Sequence, residues 1–434
     1  MPETLPGAAA QYRDNQLYVE DLSAAALANQ FGTPLYIYSE ASLRAQYNLL
    51  VRSFEGISRK LLICYALKAN ANPAIGGVFA GLGGGADVVS GGEVYLARRM
   101  GFAPEKIVFA GVGKTRSEIA EALAAGVLSI HVESPGELDV LATIAADLGT
   151  VARVAVRVNT DVDAHTHPYI TTATHTSKFG VTPQEALQLM RKAATIPSLK
   201  PVGLHAHVGS QLQEVGPVVE SARRVLALWD QLAAEGLELH ELDIGGGLGI
   251  PYRHGESPEG PQALASALRP LLAGRQIDLV LEPGRFLVGP AGVLLTRVTY
   301  LKSTAEGRSL AVVDAAMNDL LRPALYGAYH PIWQCSAHTA SDSPGQPLDI
   351  VGPVCESSDV LGQERELPGL QPGDLLAIGQ AGAYGFSMAS QYNARPRPAE
   401  VLVSGSEARV IRRRETYEDL WPPGSELGSG SRRA

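Results

Sequence analysis

The stretch "LICYALKAN" (62–70) joins a short apolar run, typical of a buried β-strand, to a lysine, Lys68. Lysine is rarely fully buried, and with a free pKa of about 10.4 it is almost entirely protonated at neutral pH. A lysine at the end of a core strand therefore either reaches solvent or serves as a nucleophile. On these residues alone, both interpretations of Lys68 are open.

Seven similar apolar runs follow the first one, and helical patterns separate most of them. The eight predicted strands are 62–66, 86–89, 107–110, 128–132, 153–158, 202–208, 241–244 and 278–282. Eight strands that alternate with helices over about 220 residues predict a (β/α)8 barrel. A doubly wound open sheet is the alternative fold, but no G-x-G-x-x-G motif follows the first strand.

The helical segments carry N-terminal signals. Ser134 is predicted to cap a helix in "SPGELDVLATIAADLG" (134–149), and Thr182 a helix in "VTPQEALQLMRKAA" (181–194). Each cap is followed by proline and, three positions on, by glutamate. A third helix is predicted in 218–236, ending at Gly236 and burying Val219, Ala222, Leu226, Trp229 and Ala233.

After about residue 285 the pattern changes to β-like runs separated by Gly and Pro turns, and helical periodicity is weak. We therefore predict an α/β barrel domain over 38–284 and a mostly β domain formed by 1–37 and 285–420. The N-terminal "PLYIYSE" (34–40) could pair with either domain. Residues 421–434 are predicted to form a disordered tail.

Composition excludes several classes of protein. The 434 residues include 36 basic and 45 acidic side chains, a balance of −9 that argues against nucleic acid or anionic membrane as a partner. Cys64, Cys335 and Cys355 fit neither a disulfide framework nor a zinc site, so a reducing, cytoplasmic location is expected. No secretory signal and no membrane span are evident.

The predicted strand ends bring reactive groups to one rim, because the active site of such a barrel lies at the C-terminal ends of its strands. Lys68 follows the first strand, and His207 and Ser210 follow the sixth. The seventh strand leads into "GGGLG" (245–249) and the eighth into "EPGR" (282–285). This concentration predicts an active site at the rim.

The glycine run has two readings. Successive glycines let backbone amides approach a phosphate, and the loops after strands seven and eight are its usual place in these barrels. A simple tight turn is the alternative.

His205 and His207 alternate along their strand and are predicted to share a face, though either could be a packed core histidine. No third ligand lies at convincing spacing, so no metal is predicted.

A strand-end lysine with a phosphate site indicates pyridoxal 5′-phosphate, which lysine holds as a Schiff base. A carboxylate near the ring, here Glu282, would keep the pyridine nitrogen protonated. A protonated ring is a strong electron sink, so it stabilises negative charge at the substrate Cα.

The motifs "YALKAN" (65–70), "HVGSQ" (207–211), "DIGGGLG" (243–249) and "EPGR" resemble the diaminopimelate decarboxylase family, in the alanine-racemase-like group of pyridoxal-phosphate enzymes. The resemblance extends from about residue 30 to 420. These four motifs also occur, in variant form, in ornithine and arginine decarboxylases. More selective stretches are "THPYITTATHTSKFG" (166–180), "MNDLLRPALYGAYH" (317–330), "GPVCESSDVL" (352–361) and "GAYGFSMASQYN" (382–393).

The resemblance implies a role for each site residue. Lys68 forms the Schiff base, His207 stacks on the ring and Glu282 pairs with its nitrogen. The other implied cofactor contacts are Ser210, Gly245, Gly246, Gly247, Gly284, Arg285 and Tyr384. The implied substrate contacts are Arg285, Arg322, Tyr326, Glu356 and Tyr384. Cys355 is implied as the proton donor, which completes a catalytic set with Lys68, His207 and Glu282. Because Cys355 and Glu356 come from the partner subunit in this family, a homodimer with shared active sites is also implied.

The activity implied by the resemblance is release of CO₂ from meso-2,6-diaminopimelate to give L-lysine, the last step of lysine biosynthesis. A related decarboxylase of ornithine, arginine, lysine or a carboxylated polyamine is the first alternative. Its substrates lack the second amino-acid head that Arg322 and Glu356 would bind. The second alternative is an inactive homologue that only binds partners or the cofactor, and the presence of Lys68 and Cys355 argues against it.

Overall fold

The computed structural model describes residues 4–5, 7–163, 178–336, 346–367 and 369–421. Most of the selective stretch 166–180 and nearly all of the predicted tail 421–434 lie outside the described residues. Within the described ranges, no helix combines the length and the apolar character that crossing a membrane requires.

The N-terminal part contains a small three-stranded sheet, two helices and a fourth strand that does not belong to this sheet. Its elements are β1 (Ala10–Arg13), β2 (Gln16–Val19), β3 (Leu22–Ser23), α1 (Ala24–Phe31), β4 (Leu35–Ser39) and α2 (Glu40–Ser53). The first three strands pair with one another in sequence order. The Ser23 and Ser39 side chains cap α1 and α2 by accepting a backbone N–H bond, as short polar residues at this position commonly do.

Eight parallel strands then close into a barrel, which confirms the predicted fold class. The strands are β5 (Lys60–Ala66), β6 (Gly85–Val88), β7 (Ile107–Phe109), β8 (Ser129–Val132), β9 (Ala152–Arg157), β10 (Leu199–His205), β11 (Glu241–Asp243) and β12 (Asp278–Leu281). The helices between them are α3 (Pro73–Gly81), α4 (Gly91–Arg99), α5 (Arg116–Ala125), α6 (Pro135–Asp147), α7 (Pro183–Thr195), α8 (Gly216–Ala234) and α9 (Pro261–Leu272). All eight strands begin and end within three residues of the predicted bounds.

The predicted helix starts are confirmed. The Ser134 hydroxyl accepts a bond from the Glu137 amide at the start of α6. Thr182 and Glu185 form a reciprocal capping box at the start of α7. These local signals are reliable because a cap and its partner lie within one helical turn.

The predicted inner face of α8 is partly wrong. Its buried residues are Val218, Ser221, Ala222, Val225, Leu226, Trp229 and Leu232. Ala233 is exposed and Val219 is only partly buried, because the buried stripe is centred about one residue N-terminal to the predicted one. The helix ends at Ala234, and Gly236 follows it with a φ of 92°.

The C-terminal part forms a nine-stranded sheet. Its elements are α10 (Arg285–Val288), β13 (Gly292–Ser303), β14 (Ser309–Val313), α11 (Arg322–Tyr326), β15 (Ile332–Gln334), β16 (Leu348–Val351), β17 (Val360–Arg365), β18 (Leu375–Ile378), β19 (Ala399–Ser404) and β20 (Glu407–Arg412). The N-terminal strand β4 pairs with β13 and β19, so "PLYIYSE" joins this sheet and not the barrel. The domain limits at residues 38, 284 and 420 stay a prediction.

Candidate active site

A cavity of about 880 Å³ opens at the C-terminal ends of the barrel strands. This volume is within the usual range for small-molecule sites. Its lining includes these predicted site residues: Lys68, His207, Ser210, Glu282, Arg285, Arg322, Tyr326 and Tyr384. The cavity therefore lies at the predicted rim of the barrel, although six predicted residues are absent from its lining: Gly245, Gly246, Gly247, Gly284, Cys355 and Glu356.

Lys68 lies on the short 3₁₀ turn Leu67–Ala69, directly after β5. Its Nζ donates to Asp87 Oδ2 on β6 at 2.8 Å, and its side chain is 40% exposed. Burial by itself would lower the pKa of Lys68, but the carboxylates of Asp87 and Glu282 raise it above its usual value. The amine therefore faces the cavity as a cation, held in place by a buried carboxylate.

Glu282 directly follows β12 and is 6% exposed. Its Oε2 lies 3.4 Å from His205 Nε2, whereas its buried Oε1 has no hydrogen-bond partner among the described residues. Burial alone would raise the pKa of Glu282, but His205 and Lys68 together hold it well below its usual value. An ionised buried carboxylate with an unpaired oxygen is costly unless a ligand supplies a donor.

His207 lies two residues beyond the end of β10, so the predicted strand 202–208 is too long at its C-terminal end. Its Nδ1 accepts a hydrogen bond from the Gly246 amide at 3.2 Å. Burial, assisted by the positive charges of Arg157 and Lys68, lowers the pKa of His207 to about 3. The ring is therefore neutral, and both His205 and His207 line the cavity.

The glycine loop after β11 is packed backbone against backbone. A Cβ added to Gly246 would lie 2.2 Å from the Glu282 carbonyl oxygen, and one added to Gly247 would lie 2.5 Å from that of Gly209. Gly245 and Gly247 also have φ values of 70° and 104°, which favour glycine. The amides of Gly245 and Gly246 already donate, to Asp243 Oδ1 and His207 Nδ1, so contact of this loop with a phosphate stays a prediction.

Ser210 and Arg285 form a polar pair beside this loop. The Ser210 hydroxyl accepts bonds from Arg285 Nη2 at 3.1 Å and Nε at 3.3 Å. A guanidinium and a hydroxyl next to a close-packed glycine loop are suitable ligands for a phosphate group.

Arg285 and Arg322 are both buried, and both donate to the phenol oxygen of Tyr252, at 2.8 and 3.0 Å. Although burial raises the pKa of Tyr252, the two arginines lower it below its usual value. Among the described residues, neither guanidinium has a carboxylate within 4.0 Å. Two buried cations without such a partner form a site for an anionic ligand.

Tyr252 was missed by the sequence analysis. It lies in "GGGLGIPY" (245–252), in the loop after the seventh barrel strand. The expectation that site residues follow the C-terminal ends of the barrel strands could therefore have included it. What sequence could not show is that its oxygen joins two arginines, which come from segments far away along the chain.

Tyr384 is held in an unusual backbone conformation, with a φ of 57°. Its amide donates to the carbonyl of Ala69, next to Lys68, at 2.8 Å, and its ring lies 5.1 Å from the Arg285 guanidinium carbon. A Cβ on Gly284 would lie 3.5 Å from the Tyr384 hydroxyl and 3.0 Å from Ala69 Cβ. Strained residues of this kind often occur at functional sites, and Tyr384 lines the cavity.

Cys355 and Glu356 lie on the surface of the β domain. The Cys355 amide donates to Asn393 Oδ1 at 2.7 Å, and Glu356 Oε2 accepts from the Tyr392 hydroxyl at 2.9 Å. A single chain therefore does not bring this pair to Lys68.

The barrel interior below the cavity contains polar residues that the sequence analysis did not select. Ser129 and His131 alternate on β8, and Glu241 and Asp243 alternate on β11. All four are buried. Alternate side chains of a strand point to the same face, so the spacing of two residues indicated that the members of each pair share the inner face of the barrel.

The cavity residues fit pyridoxal 5′-phosphate. Lys68 supplies the amine for its aldehyde, and the unpaired oxygen of ionised Glu282 is an acceptor for a protonated ring nitrogen. Ser210 and Arg285 supply donors for its phosphate.

Comparison with known proteins agrees with this chemistry. Residues 40–289 match the family described as pyridoxal-dependent decarboxylase, pyridoxal binding domain. The diaminopimelate decarboxylase of Aquifex aeolicus is 45% identical over 417 residues, which cover 96% of this chain and 97% of that relative. That of Neisseria meningitidis serogroup A is 49% identical over 402 residues, or 93% and 97%.

The structural comparison gives the same result. The crystal structure of diaminopimelate decarboxylase from M. jannaschii, in co-complex with L-lysine, has a TM-score of 0.90 and 40% identity, with 96% of this chain and 98% of that chain covered. Since the likeness extends through both the barrel and the β sheet, this protein belongs to the diaminopimelate decarboxylase family of pyridoxal-dependent enzymes.

Proposed function

We propose that this protein decarboxylates meso-2,6-diaminopimelate to L-lysine and CO₂, using pyridoxal 5′-phosphate. The observation that carries the proposal is the pair of buried guanidiniums, Arg285 and Arg322, in the same cavity as Lys68 and Glu282. A substrate with two carboxylates needs a cation beyond the one beside the cofactor phosphate, and Arg322 supplies it next to Arg285. Planar guanidinium groups suit carboxylates because they donate in a fork geometry.

When bound, the cofactor supplies an electron sink for the negative charge that remains at Cα as CO₂ leaves. The protein residues orient the reactants and set their charges. Asp87 positions the Lys68 amine, Glu282 provides an anionic acceptor for the ring nitrogen, and His207 offers a neutral ring. In this proposal Arg322, Tyr326 and Arg285, which line the same cavity, bind the substrate carboxylates.

We also propose that Cys355 and Glu356 complete the active site of a partner subunit in a homodimer. In this arrangement Cys355 delivers the proton to Cα and Glu356 binds the distal ammonium group. Their exposed position, away from their own cavity, supports this. Exposed apolar side chains also occur at both places: Val89 and Val112 at the cavity, and Tyr392 beside Glu356.

We propose a cytoplasmic location as well. All three cysteines are free, and Cys64 and Cys335 are buried in environments where burial raises the pKa of the thiol. Unpaired thiols suit a reducing compartment.

The activity is tested by measuring CO₂ release from meso-diaminopimelate, lysine, ornithine and arginine in parallel, with Lys68→Ala as the background. We expect kcat/KM for diaminopimelate to exceed that of each basic amino acid by at least about 10²-fold, because those substrates leave buried polar groups unpaired. Comparable rates with lysine or ornithine would indicate a related decarboxylase. Cofactor absorbance without CO₂ release from any substrate would indicate an inactive homologue.

The cofactor lysine is tested separately. Borohydride reduction of the loaded enzyme, followed by peptide mapping, should place the label on Lys68, because its amine faces the cavity beside Asp87. A label on Lys178 or on another lysine would reject the assignment.

A further inference from the structure

Four ionisable side chains form an unbroken line through the barrel interior, from β11 to the active-site cavity. Glu241 Oε1 lies 3.2 Å from His131 Nε2, and His131 Nδ1 lies 3.0 Å from His205 Nδ1. His205 Nε2 lies 3.4 Å from Glu282 Oε2, a longer contact than the other two, and this buried nitrogen has no other hydrogen-bond partner among the described residues. All four residues are buried, and we call this set the interior array.

The interior array contains three hydrogen-bonding contacts, and they determine how many protons it must hold. Each contact joins two atoms that can both carry lone pairs, so each needs one proton to be attractive. Two neutral imidazoles supply only two protons. A third proton must therefore reside in the array, because an empty contact between buried lone pairs would be repulsive and expensive.

The Nδ1–Nδ1 contact couples the tautomers of the two histidines. If His205 donates to His131, the lone pair of His205 Nε2 faces the Glu282 carboxylate. If His131 donates to His205, the Nε2–H of His205 donates to Glu282. The second arrangement stabilises the ionised form of Glu282, which is the form required next to a protonated ring nitrogen.

We infer that every donor in the interior array points toward Glu282, with the third proton located in the Glu241–His131 hydrogen bond. Glu241, His131 and His205 are then positioning residues that keep Glu282 ionised for the cofactor ring. The inference rests on the proposed function only in that Glu282 faces a pyridine nitrogen.

The groups around the array are consistent with this placement. Ser129 Oγ donates to Glu241 Oε1 at 2.7 Å, which satisfies the same oxygen from a second side, and it also lies 3.2 Å from His131 Nε2. Asp243 Oδ2 lies 4.0 Å from His131 Nδ1, and burial together with Glu282 raises the pKa of Asp243 well above its usual value, which disfavours a further negative charge beside the array. Burial lowers the pKa of His205 to about 4, which favours a neutral ring with a single N–H.

The Glu241 end of the array also has a route to solvent. Glu241 borders a second cavity of about 580 Å³, lined by residues at the N-terminal ends of the barrel strands, such as Lys60 and Asp278. The half-exposed Arg153 lies there, with Nη2 3.9 Å from Glu241 Oε2. The third proton can therefore exchange with water from the end of the barrel opposite the active site.

The first test reads the histidine tautomers in the apoenzyme, by NMR with ¹⁵N-labelled histidine at neutral pH. The pair is identified by coupling across its Nδ1–H···Nδ1 bond, which no other histidine pair in the described ranges forms. We expect a proton on Nδ1 of His131 and on Nε2 of His205, with Nδ1 of His205 unprotonated. A proton on Nδ1 of His205, with Nε2 unprotonated, would overturn the inference.

The second test uses enzyme loaded with ring-¹⁵N-labelled cofactor, without substrate. His205→Asn removes the donor to Glu282, so the ring nitrogen resonance should shift toward the position of neutral pyridine. Glu241→Gln should keep the wild-type position, because its amide donates to His131 as a protonated carboxyl does. His330→Asn, which replaces a fully buried histidine bonded to Arg322, is the matched control and should leave the resonance unchanged.

An unshifted resonance in His205→Asn would overturn the inference, and His131→Asn gives the same comparison if that variant does not fold. Neither test uses diaminopimelate. If the tautomers and the ring signal are as expected but no CO₂ is released, the proposed function fails while the array stands.

Discussion

At the scale of single residues, Glu282 shows how burial and charge select a ligand. Its Oε2 contacts His205, but its buried Oε1 has no partner in the described part of the chain. A lone buried carboxylate would normally take up a proton, yet His205 and Lys68 keep the pKa of Glu282 low. The folded chain therefore maintains an acceptor that a cationic ligand can use.

Replacing this acceptor should affect turnover more than binding. In Glu282→Gln we expect retained cofactor and a kcat lowered by about 10²–10³-fold, with a smaller change in KM, because the lost charge matters most as charge develops at Cα. Steady-state kinetics and cofactor absorbance measure both effects. Glu306→Gln, on the exposed surface, is the control. An unchanged kcat would show that another group serves the ring nitrogen.

Tyr252 provides a second prediction at this scale. Tyr252→Phe removes the oxygen that accepts from both Arg285 and Arg322, so the two guanidiniums lose their common anchor. We expect KM for diaminopimelate to rise about tenfold or more, the effect of one hydrogen bond to a charged group. Tyr300→Phe, at a tyrosine that is 70% exposed, should leave KM unchanged. Equal KM values in the two variants would contradict a positioning role for Tyr252.

At the scale of elements, the close approach of β10 to β11 depends on one glycine. A Cβ added at Gly203 would lie 1.8 Å from the carbonyl oxygen of Glu241. Gly203 and Glu241 are direct partners in the parallel pairing of the two strands. The same pairing positions Glu241 and His205, so it also sets the geometry of the interior array.

Gly203→Ala should therefore destabilise the protein by about 1–3 kcal/mol or more, because a backbone carbonyl cannot move aside as a flexible side chain can. Gly136→Ala is the matched control. Gly136 lies in α6 with open space around its Cβ position, so its replacement should stabilise by up to about 1 kcal/mol. Thermal unfolding of both variants measures the difference, and similar melting temperatures would show that the strands can separate at this point.

At the scale of the whole molecule, β4 joins the N-terminal part of the chain to the C-terminal sheet. This N-terminal strand lies between β13 and β19 of the C-terminal sheet, so the sheet combines strands from both parts of the described chain. The barrel is inserted between them. Cys355 and Glu356 belong to the segment between β16 and β17, and they are exposed and do not line the cavity of their own barrel.

A shared active site predicts complementation between inactive homodimers. When Lys68→Ala and Cys355→Ala subunits are mixed and allowed to exchange, heterodimers contain one site with both changes and one with neither. Random pairing makes half of the dimers heterodimers, so activity should return to about a quarter of wild type. CO₂ release before and after exchange measures the recovery.

The matched control mixes Lys68→Ala with Glu282→Gln. Both changes lie in the barrel, so every heterodimer site carries one defect and no recovery is expected. If the Cys355 mixture also stays inactive after proven exchange, Cys355 acts within its own chain.

Local patterns in the chain were sufficient for much of the fold. The strand 62–66, the caps Ser134 and Thr182, and the placement of Lys68 after the first strand were all predicted correctly. Each depends on residues close together in sequence, through strand periodicity or one helical turn. The exposed Ala233 shows the limit of such reasoning, because the packing against neighbouring elements decides which stripe of a helix is buried.

The sequence by itself therefore determined the barrel, the rim that carries the site and the lysine that faces it. Only the tertiary structure decided which polar groups meet. His131 and His205 are 74 residues apart, His131 and Glu241 are 110 apart, and Tyr252 and Arg322 are 70 apart. Their contacts arise from the register of strands in a closed barrel and from loops that converge on its rim. Spacing along the chain does not encode that convergence, so the sequence around a buried histidine is the same whether the ring packs alone or contacts a buried carboxylate.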